Sequence, residues 1–200
     1  MQKSSRLILL FSIFVLIQSC SQTAHKIPSH TVFRYNEHAN ITSLDPAFAK
    51  DQRNIWACHQ LYSKLVYLDP KLNVQPDAAQ EWNISKDGFI YTFNLKPDIY
   101  FHKHPVFGKD STRTLNADDV VYSLSRLTSP KVASPGSWVM QNVESVNAVD
   151  SLQVQIKLKR PFPAFLSFLS MQYTSIVPLE MKKLDFRTSP IGSGPFYMKR

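Results

Sequence analysis

Residues 75–95 read QPDAAQEWNISKDGFIYTFNL, and the second half of this stretch decides the fold class. Phe89, Tyr91, Phe93 and Leu95 face one way while Thr92 and Asn94 face the other, the period of a strand with one wet face. Lys86-Asp87-Gly88 supplies a turn and residues 82–85 a partner strand, so the segment reads as a β-hairpin. A second hairpin is expected from residues 143–149 and 152–158, where Leu152, Val154, Ile156 and Leu158 alternate. Between the hairpins the period changes. Asn116 opens a helix with Asp119 three positions on, a capping-box-like start, and Val120, Val121, Leu124 and Leu127 line its apolar face. The expected fold is therefore mixed, α/β or α+β, and not an all-β sandwich.

Working outward, residues 31–35 alternate as a strand and residues 36–46 are rich in turn formers. Asp51 is placed to N-cap a helix over residues 52–66, with Ile55, Cys58, Leu61, Tyr62 and Leu65 on one face. Asp69-Pro70 is expected to stop it, because a residue before proline is pushed out of the helical region. Residues 101–115 show no period and read as a long loop. In residues 161–170, Phe162, Phe165, Leu166 and Leu169 have helical spacing, with Pro161 and Pro163 where a first turn tolerates them. Residues 189–195, SPIGSGP, read as a turn, and no internal repeat is visible.

The chain has 200 residues, 44% apolar and 12% aromatic, which supplies a packed core and excludes disorder throughout. Two cysteines exclude a disulfide-dense scaffold and a Cys-rich zinc module. The charge of +8 is scattered, without a basic stripe or interleaved aromatics, so nucleic acid is not an expected partner. The N-terminus reads as an address. Lys3 and Arg6 precede LILLFSIFVLI at residues 7–17, too short to span a bilayer but suited to a signal-peptide core. Ser19 then precedes Cys20, and the run resembles the lipobox of bacterial lipoproteins, in which the cysteine thiol is acylated and becomes the mature N-terminus. Removal of residues 1–19 takes Lys3 and Arg6 and lowers the charge from +8 to +6. Cys58 then has no disulfide partner and is expected to be buried and inert.

Four stretches in order resemble one family, the extracytoplasmic solute-binding proteins of ABC importers of the oligopeptide, dipeptide and nickel type (family 5). They are Ser43-Leu44-Asp45-Pro46 with the helix after it, the hairpin at 75–95, LNADDVVYSLSRL at 115–127, and PIGSGPFYMKR at 190–200. One loop departs from the family pattern: FHKHPVFGKDSTRT, at 101–114, is longer and lacks the usual Asp-Gly pair. The resemblance implies the N-terminal part of a two-lobed, periplasmic-binding-protein type II fold that closes on a peptide and hands it to a membrane permease. It implies a monomer without cofactor, held at the cell envelope by lipid on Cys20. The implied organisation is a signal peptide at 1–19, a tether at 20–30, a first segment of lobe I at 31–72, lobe II at 73–185, and a return into lobe I at 186–200. Because this family needs a much longer chain, 200 residues are expected to be a truncated copy that binds ligand poorly.

The ligand-facing residues implied by the resemblance are Ala49, Lys50, Asp51 and Gln52, with Ser134, Gly136 and Trp138 in the SPGSW turn. An aromatic is frequent in the family where Gly136 stands, and Trp138 is expected to fill that gap. Several residues have simpler structural readings. Asp118 and Asp119, beside Asn116, are explained as helix-start acids and not as an acid/base pair. Gly192-Ser193-Gly194 lacks the flanks of a nucleophile elbow or phosphate loop. His102 and His104, two apart on an extended segment, are weak candidates for a metal, the nickel alternative, with no carboxylate or cysteine at ligand spacing. An exported hydrolase is the other alternative, and no catalytic motif supports it.

Overall fold

The Trp82–Phe93 hairpin forms half of a four-stranded sheet in the computed structural model, which describes residues 36–198. Strands β1 (Val66–Leu68) and β2 (Val74–Pro76) pair with each other, while β3 (Ala79–Ile84), β4 (Ile90–Leu95), β5 (Val143–Ala148) and β6 (Gln153–Leu158) make the sheet in the order β3-β4-β6-β5. Every pairing is antiparallel. The β3–β4 turn needs Gly88, whose φ of 74° lies in the left-handed region. Both hairpins read from the sequence are present, and β4–β6 pairing joins them, with Tyr91 opposite Ile156 and Phe93 opposite Val154. These four residues, with Leu95 and Leu158, are buried on one face of the sheet. Each contributes about 1.5–3 kcal/mol of apolar burial. Among the described residues three α-helices accompany the strands: α1 (Gln52–Leu61), α2 (Ala117–Thr128) and the single turn α3 (Phe165–Phe168). Helix α2 packs on β5 and β6 through a face that includes Val120, Leu124 and Leu127.

The capping readings hold in detail. The Asp51 side chain accepts from Asn54 N at 3.2 Å, and Asn116 and Asp119 form a reciprocal capping box at the start of α2. Three expected elements differ. Helix α1 ends at Leu61, not residue 66, because the backbone beyond it is claimed by remote partners. Ser63 O accepts from Ile176 N, Lys64 O from Ala78 N and Leu61 O from Gly194 N, at 2.8, 2.8 and 2.9 Å. Asp69-Pro70 then lies in the β1–β2 connection, where the Asp69 carboxylate accepts from Lys71 N and Asn73 N.

Residues 101–115 are not a bare loop. They close with a Tyr100–Thr114 bridge around a 3-10 turn at Pro105–Asp110. The Arg113 guanidinium lies over the Phe101 and Phe107 rings and bonds both oxygens of buried Asp119 at 2.7 Å, and Glu180 as well. Burial opposes that charge, but the bonds to Asp119 and Glu180 outweigh it and raise the guanidinium's pKa. The helix expected over residues 161–170 contracts to α3, which a turn at residues 163–164 leads into. The strand at 31–35, the tether, Cys20 and the address at 1–19 lie outside the described residues. Among the described residues no helix is long and apolar enough to cross a membrane.

Candidate functional site

Two of the stretches singled out in the sequence meet at one hydrogen bond. Asp45 starts a 3-10 turn at Pro46–Phe48 by accepting from Ala47 N at 3.0 Å through Oδ1. Its other oxygen, Oδ2, is 2.5 Å from Nη2 of Arg126 on α2, and both side chains are about nine-tenths buried. Tyr62 donates to Leu44 O at 2.8 Å and ties the same turn to the end of α1. The turn therefore presents Ala47 O in a fixed position. Ser134 Oγ donates to that carbonyl at 2.6 Å and accepts from Gly136 N at 3.0 Å. This clasp joins segments 87 residues apart and is buried.

Around the clasp, Ala49, Ser134 and Gly136 are buried, Asp51 is partly buried as the cap of α1, and Lys50 and Gln52 are exposed. Trp138 is 45% exposed and points elsewhere, edge-on to Phe168 with centroids 5.3 Å apart. It does not fill the space at Gly136. That space belongs to Tyr173: a Cβ at position 136 would lie 2.4 Å from two of its ring carbons. The correction has a simple cause, since the 3-10 turn at Ser137–Met140 carries Trp138 away to the Phe168 side. Tyr173 is thus the neighbour of Gly136 that sequence reasoning missed, and the one available signal was the missing side chain at Gly136. Burial raises its phenol pKa, and the negative charge of Asp51 raises it further. The Tyr173 phenol therefore stays neutral.

The histidines are committed to the fold. His102 Nε2 donates to Gly194 O at 2.9 Å, while Nδ1 accepts from Gly192 N at 3.4 Å. The main chain adds His102 N to Gly192 O at 2.7 Å. Burial lowers the imidazole's pKa, partly offset by the Gly194 bond, which favours the neutral ring that this pattern needs. His104 Nδ1 accepts from Val106 N and caps the 3-10 turn. Among the described residues no group of three or more His, Cys, Asp or Glu is placed to hold a metal. Gly192 and Gly194 are close-approach residues: a Cβ on them would stand 1.9 Å from Leu61 O and 2.6 Å from Leu61 C. Asp119 spends its carboxylate on Asn116 N, Leu179 N and Arg113. Cys58 is buried, and its thiol is pushed up to about 12 by burial and by the charges of Asp45 and Asp51.

The fold is mixed α/β, with an antiparallel sheet and one helix-covered face, and it resembles the type II periplasmic-binding fold of solved solute-binding proteins. The chain belongs to the bacterial extracellular solute-binding proteins, family 5, whose middle-region model matches residues 73–200. This is a family of solute-binding, not catalytic, proteins. It is 38% identical over 162 residues to a protein of Pseudomonas aeruginosa named probable di/tripeptide-binding protein 5, a match covering 70% of this chain and 30% of that protein. It is 31% identical over 202 residues to heme-binding protein A of Haemophilus influenzae, covering 90% of this chain and 36% of that one. The structure of a dipeptide-binding protein from Pseudoalteromonas sp. SM9913 in complex with Met-Leu superposes with a TM-score of 0.71 at 26% identity, covering 81% of this chain and 36% of the other. The chain spans about a third of the length of these relatives.

Proposed function

We propose that this protein serves as the substrate-capturing component of an ABC importer, taking di- and oligopeptides outside the cytoplasm by closure of two lobes. The observation that supports it most is the Ser134–Ala47 clasp in a chain 38% identical to a protein named for di- and tripeptides. In this reading Ala49, Lys50, Asp51 and Gln52 on one side and Ser134 and Gly136 on the other face the ligand, joined by Tyr173, while Trp138, also in the SPGSW turn, lies at the edge of that surface toward Phe168. Main-chain bonds from such a surface hold a peptide backbone and leave its side chains in wet cavities, which gives tight binding with loose sequence preference. Lobe I comprises residues 31–72 and the return at 186–200, lobe II residues 73–185, and acyl chains on Cys20 hold the protein at the membrane. The peptide partner and the permease are its only expected partners, and it acts as a monomer without a cofactor.

Calorimetry with a panel of two- to five-residue peptides tests the reading, alongside palmitate labelling of the wild type and Cys20→Ser. Weak but saturable peptide binding and label lost with Cys20→Ser are expected. Binding to no peptide in the panel refutes peptide capture, and label retained in Cys20→Ser refutes the anchor. A tetrapyrrole is the second reading, supported by the relative named heme-binding protein A, and hemin in the same assay separates the two.

A further inference from the structure

A cavity of about 510 Å³ opens where the end of β6 meets the Trp138 turn and α3. That volume is in the range of small-ligand sites. Its apolar wall is a run of three rings. Phe168 meets Trp138 at 5.3 Å and 79°, and Phe162 at 5.0 Å and 80°, both edge to face. Phe162 and Phe168 are half-buried and Trp138 is 45% exposed, so apolar ring surface remains for a ligand to cover.

The other wall carries two adjacent cations, Lys159 and Arg160, and among the described residues no acidic side chain lines the cavity. Lys159 Nζ donates to Gln141 O at 2.9 Å, which holds its charge on the rim. Asn142 Nδ2 donates to Arg160 O at 2.8 Å and fixes the backbone there. The Arg160 guanidinium itself has no hydrogen bond or ion pair among the described residues, although it has five donors in a fork suited to a carboxylate. An aromatic wall facing uncompensated positive charge fits one ligand chemistry: a flat ring with a carboxylate on a short arm.

We propose that this cavity binds an aryl carboxylate, with its ring against Trp138, Phe162 and Phe168 and its carboxylate paired with Arg160 beside Lys159. Two carriers share this chemistry, a free arylalkanoate and a peptide ending in Phe, Tyr or Trp. The second carrier rests on the peptide reading above, since Trp138 lines this cavity and lies at the edge of that surface; the first does not.

The test is calorimetry on the full chain with 3-phenylpropionate, phenethylamine, Ala-Phe and Ala-Ala, repeated with Arg160→Gln. Arg160 is exposed, so this variant leaves the core untouched, and circular dichroism confirms its fold. The expected result is saturable 3-phenylpropionate binding, weakened about tenfold by Arg160→Gln, as loss of a charge-assisted pair predicts. Phenethylamine, with the charge reversed, binds far more weakly. A peptide carrier gives Ala-Phe binding tighter than Ala-Ala and sensitive to Arg160→Gln. If 3-phenylpropionate binds in this way and neither peptide does, the cavity stands and peptide capture falls. Where both peptides bind alike and Arg160→Gln changes nothing, peptide capture stands and the aryl-carboxylate site is overturned. Equal binding of phenethylamine overturns it as well.

Discussion

Asp45→Asn removes one charge from the Asp45–Arg126 pair and little else. The substituted side chain keeps an oxygen for Ala47 N, so the turn at Pro46 retains its cap. Arg126 loses its carboxylate in a place where its side chain is only 10% exposed, with the Phe186 ring 4.6 Å from the guanidinium. An exposed pair would be worth about 0–1 kcal/mol. Stranding one partner of a buried pair costs about 3–5 kcal/mol, because the remaining charge has neither water nor a counter-ion. Discounted for the tenth of each side chain that reaches solvent, the expectation is the lower end, about 3 kcal/mol. With a urea slope of about 1.5–3 kcal/mol/M, the unfolding midpoint falls by about 1–2 M. Asp45→Asn/Arg126→Met removes both charges and lays an apolar chain on Phe186, and should recover to within about 1 kcal/mol of wild type. Equilibrium urea unfolding followed by tryptophan fluorescence reads all three proteins. A single-variant loss under about 1 kcal/mol, the value of an exposed pair, refutes the buried-pair reasoning. So does a double variant less stable than the single.

Three further outcomes are expected. Gly136→Ala drives a methyl into the Tyr173 ring and costs about 1–3 kcal/mol of overpacking, with loss of peptide affinity in calorimetry; Gly136→Ala/Tyr173→Ala should regain the stability but not the affinity, and unchanged stability in the single variant counts against the placement of Tyr173. The His102 pKa is lower in the fold than its ordinary value of about 6.5, so its contribution is complete above that pH. It is lost as pH falls through the lower folded value; thermal unfolding from pH 7.5 to 4.5 should show a decline that His102→Gln flattens, and parallel curves for the two proteins would refute the assignment. Cys58, buried and with its thiol at about 12, should resist iodoacetamide at pH 8 until urea opens the fold, as peptide mapping reads directly.

Local chemistry was legible and remote chemistry was not. Asp51 with Asn54, Asn116 with Asp119, and the turn at Gly88 each involve residues within a few positions, so one short window contains the cause and the effect. The period-two runs in β4 and β6 likewise announce which side chains are buried. The end of α1 could not be read this way. Residues 62 and 65 keep the helical apolar pattern, yet the groups that capture the backbone there come from Asp77, Ile176 and Gly194. The site divided along the same line. The loops carrying Ala49 and Ser134 were found through motifs, whereas the bond that joins them and the ring opposite Gly136 depend on segments far away in sequence.

Glycine offers the way across that gap, because this chain has only five. Gly88 and Gly108 have positive φ and answer to local turns. Gly136, Gly192 and Gly194 have no such need; they are dictated by space, one against Tyr173 and two against the Leu61 backbone. In a chain this poor in glycine, one outside a left-handed turn marks a surface pressed against something else. All three fall on the two junctions that organise the molecule. One is the turn beside the clasp, where a peptide is proposed to bind. The other is the return segment, where residues 192–194 meet the end of α1 and His102 holds them. The same absence that lets Tyr173 enter the site lets the return segment stop α1 early, so site and fold boundary are set by one device: backbone allowed to approach where a Cβ would forbid it.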